Sequence, residues 1–168
     1  MKTLEKINGY TKYVDKLLEG FAILTLILSV FLAFLGVILR YIFGLSYEIL
    51  AEISTYSIVY GVFIYLAPLI KQSEHIKMNI LREALKGKKI VHYVDLFISL
   101  LLFSTFVFLL YAGFHWATSL LDMGTKTLSG GMLLFVPAMS IVIGMLLGMV
   151  YSALEIAKDI NQIKNGSS

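Results

Sequence analysis

Long apolar stretches without charged residues alternate with short charged clusters along the chain. About 20 residues of helix cross the roughly 30 Å of hydrocarbon in a bilayer, and four of these stretches approach or exceed that length. Because backbone N–H groups in lipid must be satisfied within their own segment, each stretch should be helical. We therefore predict one all-α transmembrane domain with four spans, over residues 18–40, 49–70, 93–121 and 130–154.

Two basic stretches next to the spans have an amphipathic pattern. Residues 4–18 and 76–85 repeat apolar side chains at close to a helical period, with lysine and arginine between them. The pattern is typical of helices that lie in the membrane interface and turn their basic side chains toward lipid headgroups. Helices that extend a span into water would look the same, so this alternative stays open. The polar residues 163–168 are predicted to be disordered.

The distribution of basic residues predicts the orientation of the spans. Of the 14 lysines and arginines, twelve lie before the first span, between the second and third, or after the fourth; only Arg40 and Lys126 lie in the other two loops. Cytoplasmic loops carry the excess of basic residues in membrane proteins. Both termini are therefore expected in the cytoplasm. The first span is longer than a signal-peptide core and has no small-x-small cleavage site before Arg40, so we expect it to be retained.

Composition narrows the classes of function. Hydrophobic residues make up 58% of the chain and charged residues 15%, against about 25% charged in ordinary globular proteins. There are no cysteines, so disulfides, thiolate nucleophiles and cysteine-ligated metals are excluded. The net charge of +3 fits membrane orientation better than nucleic acid, and we expect no nucleic-acid partner.

Small residues form a stripe on the fourth span. Ser140, Gly144, Gly148 and Ser152 recur at intervals of four. Such spacing lets the backbone of another helix approach closely. The sequence does not show whether that helix belongs to this chain or to another protein.

Acidic and aromatic residues also recur at intervals of four where the second span begins: Glu48, Glu52, Tyr56 and Tyr60. A carboxylate here could bind a proton or an ion. The simpler expectation is an ion pair between Arg40 and Glu48 or Glu52, which would fix one helix end against another.

The three histidines do not indicate a cofactor. His75 and His92 are predicted at the cytoplasmic edge, whereas His115 lies deep in the third span beside Trp116. Haem ligation by two histidines needs a pair at matched depth, so we expect no cofactor in this chain and a packed His115 near the outer interface. No Ser-His-Asp set and no phosphate-binding glycine loop is present. We expect no enzymatic activity, and the spans lack the clustered acids and broken helices of a solute pathway.

Several short motifs together resemble a known family. Arg40-Tyr41-Ile42-Phe43 ends the first span, and Ser46 and Glu52 follow; Lys71 and His75-Ile76 come after the second span, and Pro137 lies early in the fourth. In these motifs, the span count and the loop lengths, the chain resembles the DctQ-like small membrane subunit of tripartite ATP-independent periplasmic (TRAP) transporters.

The resemblance implies a subunit of a larger complex in the cell inner membrane. Its partners would be a large DctM-like membrane subunit, which holds the solute and Na⁺ sites, a periplasmic substrate-binding protein, and membrane lipids. The small subunit would scaffold the large one and help to dock the binding protein during uptake of organic acids. Two other classes stay open: the membrane anchor of an electron-transfer or enzyme complex, and a small exporter that acts alone.

Overall fold

Four long helices make up most of the protein. The structure, a computed structural model, describes the backbone of residues 2–85 and 90–164 and the side chains of residues 13–70, 93–161, 163 and 164. The helices are α1 (Lys2–Ile42), α2 (Glu48–Leu85), α3 (Ile90–Asp122) and α4 (Phe135–Lys164).

Each helix contains a segment long and apolar enough to cross a membrane: Tyr13–Ile42, Glu48–Ile70, Tyr93–Asp122 and Phe135–Asn161. The prediction of an all-α protein with four membrane-crossing helices is confirmed. The helices are longer than their apolar runs because nothing in the flanking sequence stops them. The only proline inside α2 is Pro68, and the helix continues beyond it to Leu85.

The two amphipathic stretches do not form separate helices, which corrects the prediction of distinct interfacial helices. Residues 4–18 belong to α1 and residues 76–85 to α2, with no break between them and the spans. The alternative, helices that extend a span, is what the backbone shows. Of the predicted disordered tail, residues 163 and 164 are the end of α4, and residues 165–168 lie outside the described part of the chain.

A hydrogen-bonded hairpin, residues 125–134, connects α3 to α4. Thr127 N–H donates to the Met132 carbonyl at 2.8 Å, and Leu134 N–H donates to the Thr125 carbonyl at 2.9 Å. Gly130, with φ of 70°, turns the chain at the tip, in a conformation that a side chain would strain. Because this hairpin occupies the segment, α4 begins at Phe135 rather than near residue 130.

The helices form a row in which α4 lies between α2 and α3. α1 packs along α2, α2 packs along α4, and α4 packs along α3, while α2 and α3 touch only slightly. Half of the most apolar stretch of α4 is buried inside the protein, compared with 17% of that of α1 and 11% of that of α3. Large parts of α1 and α3 therefore face outward from the chain.

The small-residue stripe of α4 packs inside this chain, which answers the question that the sequence left open. Ser140 and Ser152 are 0% and 1% exposed. A Cβ on Gly144 would lie 2.5 Å from the carbonyl oxygen of Phe63 in α2, and one on Gly148 would lie 2.7 Å from the ring of Phe106 in α3. The stripe thus lets α2 and α3 approach α4 from two sides.

A second close approach, between α1 and α2, was missed in the sequence. Ala22, Thr25 and Ser29 of α1 are buried, and a Cβ on Gly61 of α2 would lie 2.5 Å from the Thr25 hydroxyl. The Ser54 hydroxyl donates to the Ser29 carbonyl at 2.9 Å and also lies 3.1 Å from the Ser29 hydroxyl. Small and hydroxyl residues three and four apart in an otherwise bulky run were the available signal.

Candidate functional site

Glu52 fastens the hairpin to α2. Its carboxylate accepts two hydrogen bonds from one residue at the tip of the hairpin, from the Ser129 N–H at 2.6 Å and from the Ser129 hydroxyl at 2.5 Å. A carboxylate acceptor makes such bonds stronger than neutral ones. Inside the hairpin, Thr127 is buried, whereas the neighbouring Leu128 is 97% exposed. The hairpin is thus held to α2 through Ser129, and the apolar side chain of Leu128 is exposed at its tip.

The predicted ion pair of Arg40 with Glu48 or Glu52 is wrong for this chain. Among the described side chains no oxygen of either glutamate lies within 4.0 Å of the guanidinium. Glu52 points instead toward Ser129, one helical turn further along α2 than the exposed Glu48. The loop between α1 and α2 turns through Gly44, with φ of 67°, and leaves the guanidinium facing outward.

The other motif residues at this end of α1 are also on the surface. Tyr41 is 81% exposed and Phe43 is 63% exposed. They make an aromatic and basic edge at the C-terminal end of α1, beside Arg40. Tyrosine and arginine are favoured at the membrane–water interface.

Pro137 belongs to the buried start of α4 rather than to the surface. The Ser140 hydroxyl donates to the Pro137 carbonyl at 2.6 Å, and the Tyr60 hydroxyl donates to the Val136 carbonyl at 2.7 Å. Proline in the first turn of a helix loses no intrahelical hydrogen bond. Tyr60 therefore holds the start of α4 against α2, from the same side of α2 that carries Glu52.

At the opposite end of the membrane-crossing segments, polar side chains join three helices. The Tyr151 hydroxyl donates to the Asp15 carboxylate at 2.5 Å, which ties α4 to α1. The Ser99 hydroxyl donates to the Asp159 carboxylate at 2.7 Å, which ties α3 to α4, and Lys158 pairs with Glu155 within α4. Glu155 and Asp159 are 6% and 7% exposed. Sequence reasoning did not single out this cluster, because its members are far apart in the chain.

The histidines are not brought together into a described site. His115 is exposed on α3, which corrects the expectation that it is packed within this chain. The side chains of His75 and His92 lie outside the described residues. Where side chains are described, no three of the His, Asp and Glu residues are grouped so that they could hold a metal ion.

The structure brings some of the residues that the sequence singled out together and leaves others apart. Ser140, Gly144, Gly148 and Ser152 lie in the core, with Pro137 at its outer edge. Glu52 is joined to the hairpin, whereas Arg40, Tyr41, Phe43 and Glu48 are exposed. These contacts join the helices to one another and the hairpin to α2.

The comparisons with known proteins agree with this architecture. The family model of the DctQ component of tripartite ATP-independent periplasmic transporters matches residues 29–162, from the middle of α1 almost to the end of α4. No curated protein and no solved structure matches the chain. The match includes the close contacts of Gly144 and Gly148 with α2 and α3 and the Glu52–Ser129 connection. The chain therefore belongs to the DctQ family, the small membrane component of these transporters, and is a transporter subunit rather than an enzyme.

Proposed function

We propose that this DctQ component is the non-catalytic scaffold of a sodium-driven importer of organic acids in the cell inner membrane. It binds a large DctM-like membrane component, which carries the solute and Na⁺ sites, and it helps to dock a periplasmic substrate-binding protein. The chain itself holds no cofactor. It holds the large component in a fixed position in the membrane, so that the binding protein can dock on the periplasmic side.

The observation that carries the proposal is how the buried polar groups of this chain are used. Ser54 bonds to Ser29, Ser99 bonds to Asp159, and Tyr151 bonds to Asp15, so each of these bonds joins one helix to another. A solute site would need such groups to converge on a cavity with free donors and acceptors. Here they fix helix against helix, as a scaffold requires.

Four spans and the bias of basic residues support an orientation with both termini in the cytoplasm. An even number of spans returns the chain to the side on which it began. Twelve of the 14 lysines and arginines lie on that side, and basic residues are retained in the cytoplasm. The hairpin with Glu52 and Ser129 then faces the periplasm.

Docking of the binding protein is supported by the fixed geometry of the outer hairpin. Residues 125–134 are tied to α2 through Glu52, and Leu128 projects from the tip. A docking surface that is already ordered avoids the entropy cost of ordering it on binding. An exposed apolar side chain on such a surface is a suitable contact for a soluble partner.

Reconstitution of the transporter tests the proposal. Proteoliposomes would contain the large component with or without this chain, and with or without the binding protein loaded with labelled solute. We expect Na⁺-gradient-driven uptake only when all three components are present. Uptake or efflux by this chain alone would identify a transporter that acts by itself, and full uptake without this chain would remove the scaffold role.

A further inference from the structure

One outward side of α3 carries three polar side chains whose hydrogen-bonding groups are unused, together with one phenylalanine. The four residues recur at intervals of four, three and four and are all exposed: Ser104, Phe108, Tyr111 and His115. We call these four residues the α3 polar face. The nearby Thr105 and Thr118 hydroxyls donate back to backbone carbonyls of α3. In the part of the chain that the structure describes, the Ser104 hydroxyl, the Tyr111 hydroxyl and the His115 imidazole have no such partner.

The α3 polar face lies at the depth of the hydrocarbon. The membrane-crossing segment Tyr93–Asp122 has 30 residues, and its midpoint is beside Phe108. At about 1.5 Å per residue, Ser104 and Tyr111 lie about 5 Å from that midpoint and His115 about 11 Å from it. All three are inside a hydrocarbon half-thickness of about 15 Å. Acyl chains offer no hydrogen-bond partner at this depth.

The outward side of α1 provides the contrast within the same chain. Between residues 21 and 39 every exposed side chain of α1 is apolar, including Leu26, Ile27, Val30, Phe31 and Phe34, which line a shallow groove. Lipid tails satisfy such a surface completely. They do not satisfy the α3 polar face, because histidine and other polar side chains within spans normally face protein.

We propose that the α3 polar face is the surface on which a transmembrane helix of the large component docks, whereas α1 faces lipid. This inference rests on the proposed function. The docking helix presents hydrogen-bond acceptors, a carboxylate or carbonyl at the depth of His115 and a further acceptor near Tyr111. Serine and histidine side chains hydrogen-bond across helices in membranes, and Ser104 also lets a neighbouring backbone approach.

Photo-cross-linking from two matched phenylalanines tests the assignment. Benzoylphenylalanine replaces Phe108 of α3 in one variant and Phe31 of α1 in the other; the two side chains are 69% and 59% exposed. Each variant is irradiated in membranes that also contain the large component. We expect an adduct with the large component from position 108 and none from position 31. An adduct from position 31 alone, or from position 108 only with a second copy of this chain, would overturn the inference.

Recovery of the large component separates failure of this inference from failure of the proposed function. If the large component co-purifies with the wild-type chain but position 108 gives no adduct with it, the scaffold role stands and the α3 polar face is not the docking surface. If it does not co-purify at all, both are wrong. As a second measurement, Tyr111→Phe with His115→Leu should weaken association roughly three- to tenfold, while Phe31→Leu should leave it unchanged. Equal association of both variants would contradict the assignment.

Discussion

At Gly144 an added side chain would collide with the backbone of α2. A Cβ there would lie 2.5 Å from the Phe63 carbonyl oxygen and 2.7 Å from the Phe63 Cβ. Because a backbone carbonyl in a helix cannot rotate away, α2 itself would have to move. At Gly148 the obstacle is the end of the Phe106 ring, which can shift at lower cost.

We expect Gly144→Ala to destabilise the protein by about 1–3 kcal/mol, as overpacking of a close contact does. Gly148→Ala should cost less. Gly113→Ala is the matched control, since its Cβ would meet only Ile141 and Val142, at 3.8 and 3.9 Å. Thermal unfolding of the purified chain in detergent measures the order of stability. Equal stability of the variants at 144 and 113 would show that α2 and α4 are not in backbone contact there.

At the scale of elements, the Glu52 carboxylate joins the hairpin to α2. Residues 125–134 form few hydrogen bonds of their own, and the two bonds from Ser129 to Glu52 join them to α2. Glu48 lies one turn earlier on the same helix but is exposed, with no described hydrogen bond or ion pair of its side chain. The two glutamates therefore offer a comparison of nearly identical substitutions with different consequences.

Glu52→Gln should loosen the hairpin, because the neutral amide keeps one acceptor oxygen and replaces the other with a donor. Limited trypsin digestion from the outer side should then cleave after Lys126, the basic residue of the hairpin, several-fold faster than in the wild type. Glu48→Gln should digest at the wild-type rate. A Glu52→Gln variant as resistant as the Glu48→Gln control would mean that the hairpin is held by its own backbone bonds.

For the whole molecule, the row of helices produces two different outward surfaces on one scaffold. α4 is half buried between its neighbours, while α1 and α3 expose most of their side chains on opposite sides of the row. Nothing in the described chain covers the polar groups of α3. This difference is what the proposed docking of a membrane protein on α3, with lipid on α1, requires.

The absence of cysteine from the sequence makes the orientation directly measurable. A membrane-impermeant maleimide should label Leu128→Cys in intact spheroplasts, because the hairpin is expected in the periplasm. Lys164→Cys, at the end of α4, should react only after the membrane is permeabilised. Labelling of Lys164→Cys in intact spheroplasts, with protection of Leu128→Cys, would reverse the orientation inferred from the basic residues.

The sequence predicts the helices well because each span is specified by its own residues. Apolar length and the cost of an unsatisfied backbone in lipid are local properties. The same holds for the stripe from Ser140 to Ser152, whose spacing predicts a close contact but not its partner. Pairing is different: Gly144 meets Phe63 and Tyr151 meets Asp15 across long separations in the chain, and no single-sequence pattern encodes those distances.

Two of the corrected expectations, the ion pair of Arg40 and the packing of His115, concern single polar side chains. An ion pair of Arg40 with Glu48 or Glu52 was expected because opposite charges at neighbouring helix ends attract. Glu52 instead has a neutral residue with two donors in reach, and the Arg40 guanidinium can remain in water. His115 was expected to be packed beside Trp116 near the outer interface, but its side chain is exposed on α3. Its neighbour is expected in the complex, not in this chain.

The ribosome finishes α4 after the other three helices, although α4 is the helix against which α2 and α3 both pack. α1 and α2 can pair as soon as both have left the translocon. Until α4 has been translated, which takes a few seconds at about 5–20 residues per second, α3 lies in the bilayer without this packing partner. The side of α3 that contacts α4, including Ser99, is uncovered during that time. A stalled or truncated nascent chain would present a solitary helix to the proteases that survey the membrane. Assembly of this subunit therefore depends on completion of α4.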